Sequence, residues 1–199
     1  MRDNMAGKEP NVPAAELVSR RRFIGLGAAA LALPFLSRIS AFALNGPLEP
    51  LPPDRGLSFY NTHTGESVSV DYCLSGCLVP ASLEKIKHIL RDHRTGESKD
   101  IDVRLLDLLH SLSAKACPGQ PFHVISGYRS PKTNAALRAN GSGVAAHSLH
   151  LDGQAVDIRV PGLGLRDLYR AAVALRGGGV GIYPGSDFIH VDVGRVRTW

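Results

Sequence analysis

Two short stretches in the second half of this 199-residue chain alternate so regularly that they narrow the folds open to it. Across residues 154–160, Ala155, Asp157 and Arg159 fall on one side and Val156, Ile158 and Val160 on the other. Successive side chains of a strand point to opposite faces, so the pattern predicts a sheet with one face on a core and one left open. Residues 188–193 repeat it: His190 and Asp192 share one face, Ile189 and Val191 the other. An adjacent pairing of the two strands brings His190 and Asp157 to the same open centre.

The apolar side needs a cover, and helical periodicity supplies it. Residues 83–94 read as a helix with Ser82 as its cap and Leu83, Ile86, Ile89 and Leu90 inward. Residues 102–116 turn Leu105, Leu108, Leu109 and Leu112 inward, and 165–175 read as a third helix ended by the glycines at 177–179. Further strands are expected at 57–61 and 67–72, joined through Thr64-Gly65-Glu66, and at 122–126 and 180–183. The similar Thr95-Gly96-Glu97-Ser98 is read as coincidence. Ser130-Pro131 opens a short helix, with Ser as cap and Pro at the first position. The sum is one α+β domain, a small, mostly antiparallel sheet flanked by helices.

Hydrophobic residues at 44% and charged residues at 21% are ordinary globular values, which exclude wholesale disorder and a polytopic membrane protein. The net charge of +5 invites a nucleic-acid reading, but residues 1–43 carry six Lys/Arg against three Asp/Glu. The remainder holds seventeen against fifteen, with no basic-aromatic stripe, so no nucleic-acid partner is expected. Within that basic segment Ser19-Arg20-Arg21-Arg22-Phe23-Ile24 precedes a short apolar run, 24–36, and then Ala41-Phe42-Ala43. This resembles a twin-arginine export signal over residues 1–43, cut between Ala43 and Leu44, with the translocation machinery as partner and the periplasm as destination. The run is too short to span a bilayer comfortably, and no stable span is expected after processing. Residues 44–55, with Pro47, Pro50, Pro52 and Pro53, read as an extended linker to a domain beginning at 56. A monomer is the default expectation.

Cys73, Cys77 and Cys117 allow at most one intramolecular disulfide. Cys73 and Cys77 could close a small loop or supply two soft metal ligands, with a structural role favoured because no second Cys/His pair follows at zinc-knuckle spacing, and Cys117 is read as a semi-buried residue at a helix end rather than a nucleophile. The chemistry is concentrated elsewhere. His150, Asp157 and His190 are two imidazoles and a carboxylate, a set suited to a catalytic zinc because three protein ligands leave a fourth position for water. Gly153 allows the tight turn that folds His150 back over Asp157, and small Ala155 leaves room on that face. His147 is read as substrate-side or solvated, and Ser148 as fixing the loop rather than as a nucleophile, since nothing around it resembles a nucleophile elbow.

The pattern Ser-x-His-x-x-Gly-x-Ala-x-Asp with a later His-x-Asp resembles the LAS-type zinc peptidases, the D-alanyl-D-alanine carboxypeptidase and dipeptidase group. Residues 61–67, Ile125-Ser126-Gly127-Tyr128-Arg129-Ser130, 177–183 and Val193-Gly194-Arg195-Val196-Arg197-Thr198-Trp199 extend the likeness to the periplasmic murein endopeptidases of the MepK group, over most of the chain from residue 56. The resemblance implies a hedgehog/DD-peptidase-like fold and one zinc ion per chain on His150, Asp157 and His190. It implies hydrolysis of peptide cross-links in peptidoglycan, with Tyr128, Arg129, Ser148 and His147 toward substrate. Arg129 fits that role chemically, because a guanidinium beside zinc can hold a substrate carboxylate or stabilise the oxyanion. For the general base, Asp187 sits three residues before His190, where related dipeptidases place an acid. Asp192 is the competitor, with a second possible role of orienting the His190 imidazole. Two other readings stand beside the endopeptidase: a D,D-carboxypeptidase or dipeptidase acting on D-Ala termini, and a non-catalytic peptidoglycan-binding domain on the same fold.

Overall fold

A computed structural model describes residues 50–140 and 145–199. The export signal, the first half of the linker and part of the loop before Ser148 lie outside the described residues. The chain runs β1 (Arg55–Asn61), β2 (Ser67–Leu74), β3 (Cys77–Leu78), α1 (Pro80–Ile89), α2 (Val103–Ala116), β4 (Phe122–Ser126), α3 (Pro131–Ala139), β5 (Ala155–Arg159), α4 (Leu165–Leu175), β6 (Gly179–Tyr183), β7 (Phe188–Asp192) and β8 (Arg197–Thr198). The strands form one sheet in the order β3-β2-β1-β4-β5-β7-β6-β8. Pairing is antiparallel except between β1 and β4 and between β6 and β8. The architecture is the α+β fold that the alternation implies.

One face of the sheet is dry. Leu57, Phe59, Val124, Val156, Ile158, Val180, Ile189 and Val191 join a single buried cluster with Ile86, Leu105, Leu109, Leu112 and Leu168 of α1, α2 and α4. Burial of such side chains stabilises by roughly 1.5–3 kcal/mol each before the entropy of ordering them is counted. The opposite face carries the polar members of each alternation. It brings His190 of β7 level with Asp157 of β5 on one side and Gly181 of β6 on the other.

Several sequence expectations are corrected in detail. Helix α1 begins at Pro80 rather than after Ser82, with Val79 at the cap and the fixed φ of proline in its first turn. It stops at Ile89, short of residue 94, because the Leu90 carbonyl turns away to accept from Tyr128 N at 2.7 Å. Ser130 caps α3 as expected, accepting from Thr133 N at 3.2 Å, whereas Asp102, read as the first residue of its helix, stands just before α2 as its cap and accepts from Arg104 N at 2.9 Å. Arg176, not a glycine, takes the left-handed position after α4 (φ 53°). The glycines behind it are needed for close approach: a Cβ on Gly177 would lie 2.5 Å from the Leu108 side chain. Strands β3 and β8, two residues each, are too short to leave a pattern. Cys73 and Cys77 are both free. In the β2–β3 ladder Cys73 pairs with Leu78 and Cys77 with Leu74, so the two sulfurs leave opposite faces of the ribbon. Cys117 is fully buried rather than half so.

The repeated Thr-Gly-Glu is no coincidence of letters. Asn61 and Asp92 each open a turn in which the residue five positions on accepts their N–H, at 2.9 Å in both cases, and a left-handed glycine donates back, Gly65 to Asn61 O at 2.9 Å and Gly96 to Asp92 O at 2.7 Å. Their side-chain oxygens accept from His63 N and Arg94 N. The two turns lean together with His63 and His93 stacked at 3.8 Å.

Candidate metal centre

His150 sits on a 3-10 turn, Leu149–Asp152, closed by Gly153 in the left-handed region (φ 66°). Any side chain at 153 would also strike the Asp100 carbonyl. The turn drops His150 over β5 and buries it to 2% exposure. Its Nδ1 lies 2.7 Å from the carbonyl oxygen of Gly127. A carbonyl can only accept, so Nδ1 carries the proton and Nε2 offers its lone pair.

His190 is oriented in mirror fashion. Its Nε2 is 3.0 Å from Asp192 Oδ2. That carboxylate, wholly buried, also accepts from Gly179 N and Gly194 N at 2.9 Å each and from Arg197 at 2.7 and 3.2 Å. Burial alone would raise the Asp192 pKa, but these donors outweigh it and hold the group below the usual carboxylate range. Asp192 is therefore ionised, His190 donates from Nε2, and Nδ1 is the free lone pair.

The two free nitrogens face each other at 3.2 Å, and Asp157 Oδ1 lies 2.9 Å from one and 3.3 Å from the other. These atoms all fall within 4.8 Å of one another. Three acceptors aimed at one point repel unless a cation joins them. Without a metal, a proton serves: burial disfavours a charged His190, yet Asp157 and Asp192 prevail and raise its pKa. Burial likewise works against the Asp157 anion, but the two imidazoles hold it below its ordinary value. Two nitrogens and one oxygen with outer hydrogen bonds fixing each ring are the donor set of an open zinc site, and the residues fit that metal.

A family model described as peptidoglycan L,D-endopeptidase MepK matches residues 50–199. This chain belongs to the MepK family. The protein named peptidoglycan L,D-endopeptidase MepK in Escherichia coli (strain K12) is 38% identical over 181 residues, which cover 91% of this chain and 97% of that one. The protein of the same name in Shigella flexneri matches to the same extent. Membership makes the chain a peptidase, as the motifs of its second half imply.

The remaining residues expected to serve a MepK-family site are distributed unevenly. Arg129 is 8% exposed, with its Nη2 3.4 Å from Ser126 Oγ and 3.6 Å from Asp157 Oδ2. Its Nε has no partner. Burial lowers its pKa, and Asp157 only partly restores it. A buried guanidinium with an unfilled donor beside the cluster is poised for an anionic ligand. The twin turns help to hold it there, since Asp92 Oδ2 accepts from Ser130 N at 2.9 Å. Tyr128 is buried next to it, while His147 stands exposed. Ser148 gives its carbonyl to Leu151 N at 2.9 Å, and its hydroxyl does not cap the turn.

The two carboxylates weighed as bases part company. Asp192 lies on the far nitrogen of His190 with its lone pairs committed to five donor contacts, so it orients the ring and has no access to the side where the three acceptors meet. Asp187 is exposed at the left-handed corner before β7 (φ 51°), 3.3 Å from Arg159 Nη1. The sequence reading passed over the Gly127 carbonyl, which carries no side-chain signal. It also passed over the alternate glycines 179 and 181, which do: small residues on one strand face mark a place where something else lies down.

Proposed function

We propose that the protein is a zinc-dependent murein endopeptidase that cuts peptide cross-links of peptidoglycan, with His150, Asp157 and His190 as metal ligands. The observation that carries it is the convergence of three acceptor atoms, one from each of these residues, within 4.8 Å beside a buried, under-partnered arginine. Zinc bound there supplies Lewis acidity toward the scissile carbonyl and a water acidic enough to attack at neutral pH. Arg129 holds the carbonyl oxygen and stabilises the negative charge that grows on it. Asp187 accepts the proton of the attacking water and returns it to the leaving amine, so that the C–N bond breaks as a carboxylic acid and an amine form. Asp192 keeps His190 in the ligating tautomer, and Tyr128, Ser148 and His147 line the approach.

The L,D in the relatives' name supports the diaminopimelate–diaminopimelate link as the bond cut here, since there an L centre supplies the carbonyl and a D centre the amine, over the D-Ala–diaminopimelate link. The same reading places the protein in the periplasm by the twin-arginine route, with residues 1–43 removed. The test is to incubate residues 44–199 with muropeptides of both cross-link types, with zinc, with chelator, and as His190→Ala, and to follow products by mass spectrometry. Cleavage lost on chelation and in the variant is expected. Well-folded, zinc-loaded protein that cuts neither link nor a D-Ala-D-Ala stem overturns the reading in favour of a binding domain.

A further inference from the structure

Trp199 is held in place with more care than its packing explains. Its backbone continues the sheet beyond β8, donating to Val180 O at 3.3 Å and accepting from Ile182 N at 3.1 Å. Its indole N–H donates to the Tyr183 hydroxyl at 2.7 Å, and the Arg197 guanidinium lies 4.8 Å from the ring centre. Tyr183 in turn stacks on Phe188 at 4.7 Å. The indole lies against Gly181, where a Cβ would come within 2.5 Å of ring atom Cε2. Yet Trp199 remains 46% exposed and lies outside the buried cluster. Its ring centre is 5.3 Å from that of His190.

An aromatic ring fixed by hydrogen bonds, denied to the core and left half in water gives up apolar burial that the fold could have used. Such rings are characteristic of ligand walls, where an apolar face meets the body of a ligand while polar groups fix its orientation. The position sets the occupant. One residue of extended chain advances about 3.3 Å, so a surface beside His190 meets the substrate residue next to the bond being cut, not a distant sugar. We infer that Trp199, seated on Gly181 and pinned by Tyr183, is the wall of a substrate subsite that takes the methylene chain of the diaminopimelate flanking the scissile bond. The inference rests on the endopeptidase reading for the identity of that residue.

Trp199 is the single tryptophan of the chain, so intrinsic fluorescence of the zinc-loaded protein reports this wall directly. Titration with an uncross-linked stem peptide ending in diaminopimelate, a product-like ligand, is expected to give a saturable change in emission. A stem with alanine in that place is expected to need at least about tenfold more peptide, since each methylene removed from an apolar contact weakens binding severalfold. On cross-linked muropeptide, Trp199→Ala is expected to raise KM about tenfold with kcat held within about threefold, and Trp199→Phe to restore most of the loss. Gly181→Ala, which displaces the indole without altering its chemistry, is expected to reproduce the rise in KM.

A response equal for both stems overturns the assignment. So does a Trp199→Ala variant that lowers kcat and zinc content while leaving KM unchanged, because the ring would then only support His190. The titration of the unaltered protein decides even if a variant fails to fold. Absence of cleavage by the wild type, with the stem titration positive, would count against the endopeptidase reading and leave the subsite standing.

Discussion

Replacing Asp192 by Asn tests the central claim about His190. In the wild type one carboxylate oxygen accepts from Gly179 N, Gly194 N and Arg197, and the other from His190 and Arg197. An asparagine must point its NH2 at one of these sets. The less costly choice faces His190 and Arg197, setting the NH2 against two donors beside a buried side chain. At roughly 1–3 kcal/mol for each group left unsatisfied, the loss before any rearrangement is about 2–6 kcal/mol. That corresponds to about 5–15 °C in Tm for a domain of this size. His190 has an escape that matters more. By moving its proton to Nδ1 it can accept from the asparagine NH2 and donate to Asp157, which satisfies the ring and removes the lone pair meant for the metal. Zinc affinity, measured by competition with a chromophoric chelator, should fall about 10–100-fold. An Asp192→Asn protein that binds zinc within about threefold of wild type would refute the assignment of Nδ1 as the ligating atom. Asp187→Asn is the control: exposed and away from these bonds, it should leave zinc affinity and Tm unchanged while cleavage falls.

Gly127→Ala should be severe, because the added carbon meets the Leu90 backbone and pushes away the carbonyl that fixes His150; a loss of about 1–3 kcal/mol in melting and a matching loss of zinc are expected. Burial opposes ionisation of Asp92, but hydrogen bonds from Thr133, Ser130 and Arg94 lower its pKa from 3.8 to about 2. Its contribution of about 2 kcal/mol is therefore complete above pH 4 and lost as pH falls toward 2, so the gap in stability between wild type and Asp92→Asn should close over that window in acid denaturation. Alkylation of the native protein should label exposed Cys77 alone, with Cys73 and Cys117 reacting after unfolding; a mass shift showing a Cys73–Cys77 link would contradict the ribbon geometry.

Much of the site was legible because sheet geometry is simple. Period-two alternation placed Asp157 and His190 on one face, and the left-handed requirement of a turn explained Gly153. Nothing local could rank Asp187 against Asp192, since both share a short segment with His190 and differ in what approaches them from Gly179, Gly194 and Arg197. The start of α1 was misread because proline at the first helical position competes with serine as a signal, and here proline prevailed. Hairpin β2–β3 and strand β8 are held by partners rather than by propensity, so they have no sequence signature of their own.

Asp157 and His190 are partners across two central strands, and the spacing of their Cα atoms is set by backbone hydrogen bonds shared with β4 and β6. His150 comes from a turn closed by one glycine. The cluster thus resembles a vice with two fixed jaws and one adjustable one. On the proposed metal assignment a change of ion radius is met by movement of the turn, so changes around Gly153 and Asp100, which supply no ligand atom themselves, are where selectivity between zinc and larger divalent ions is free to drift.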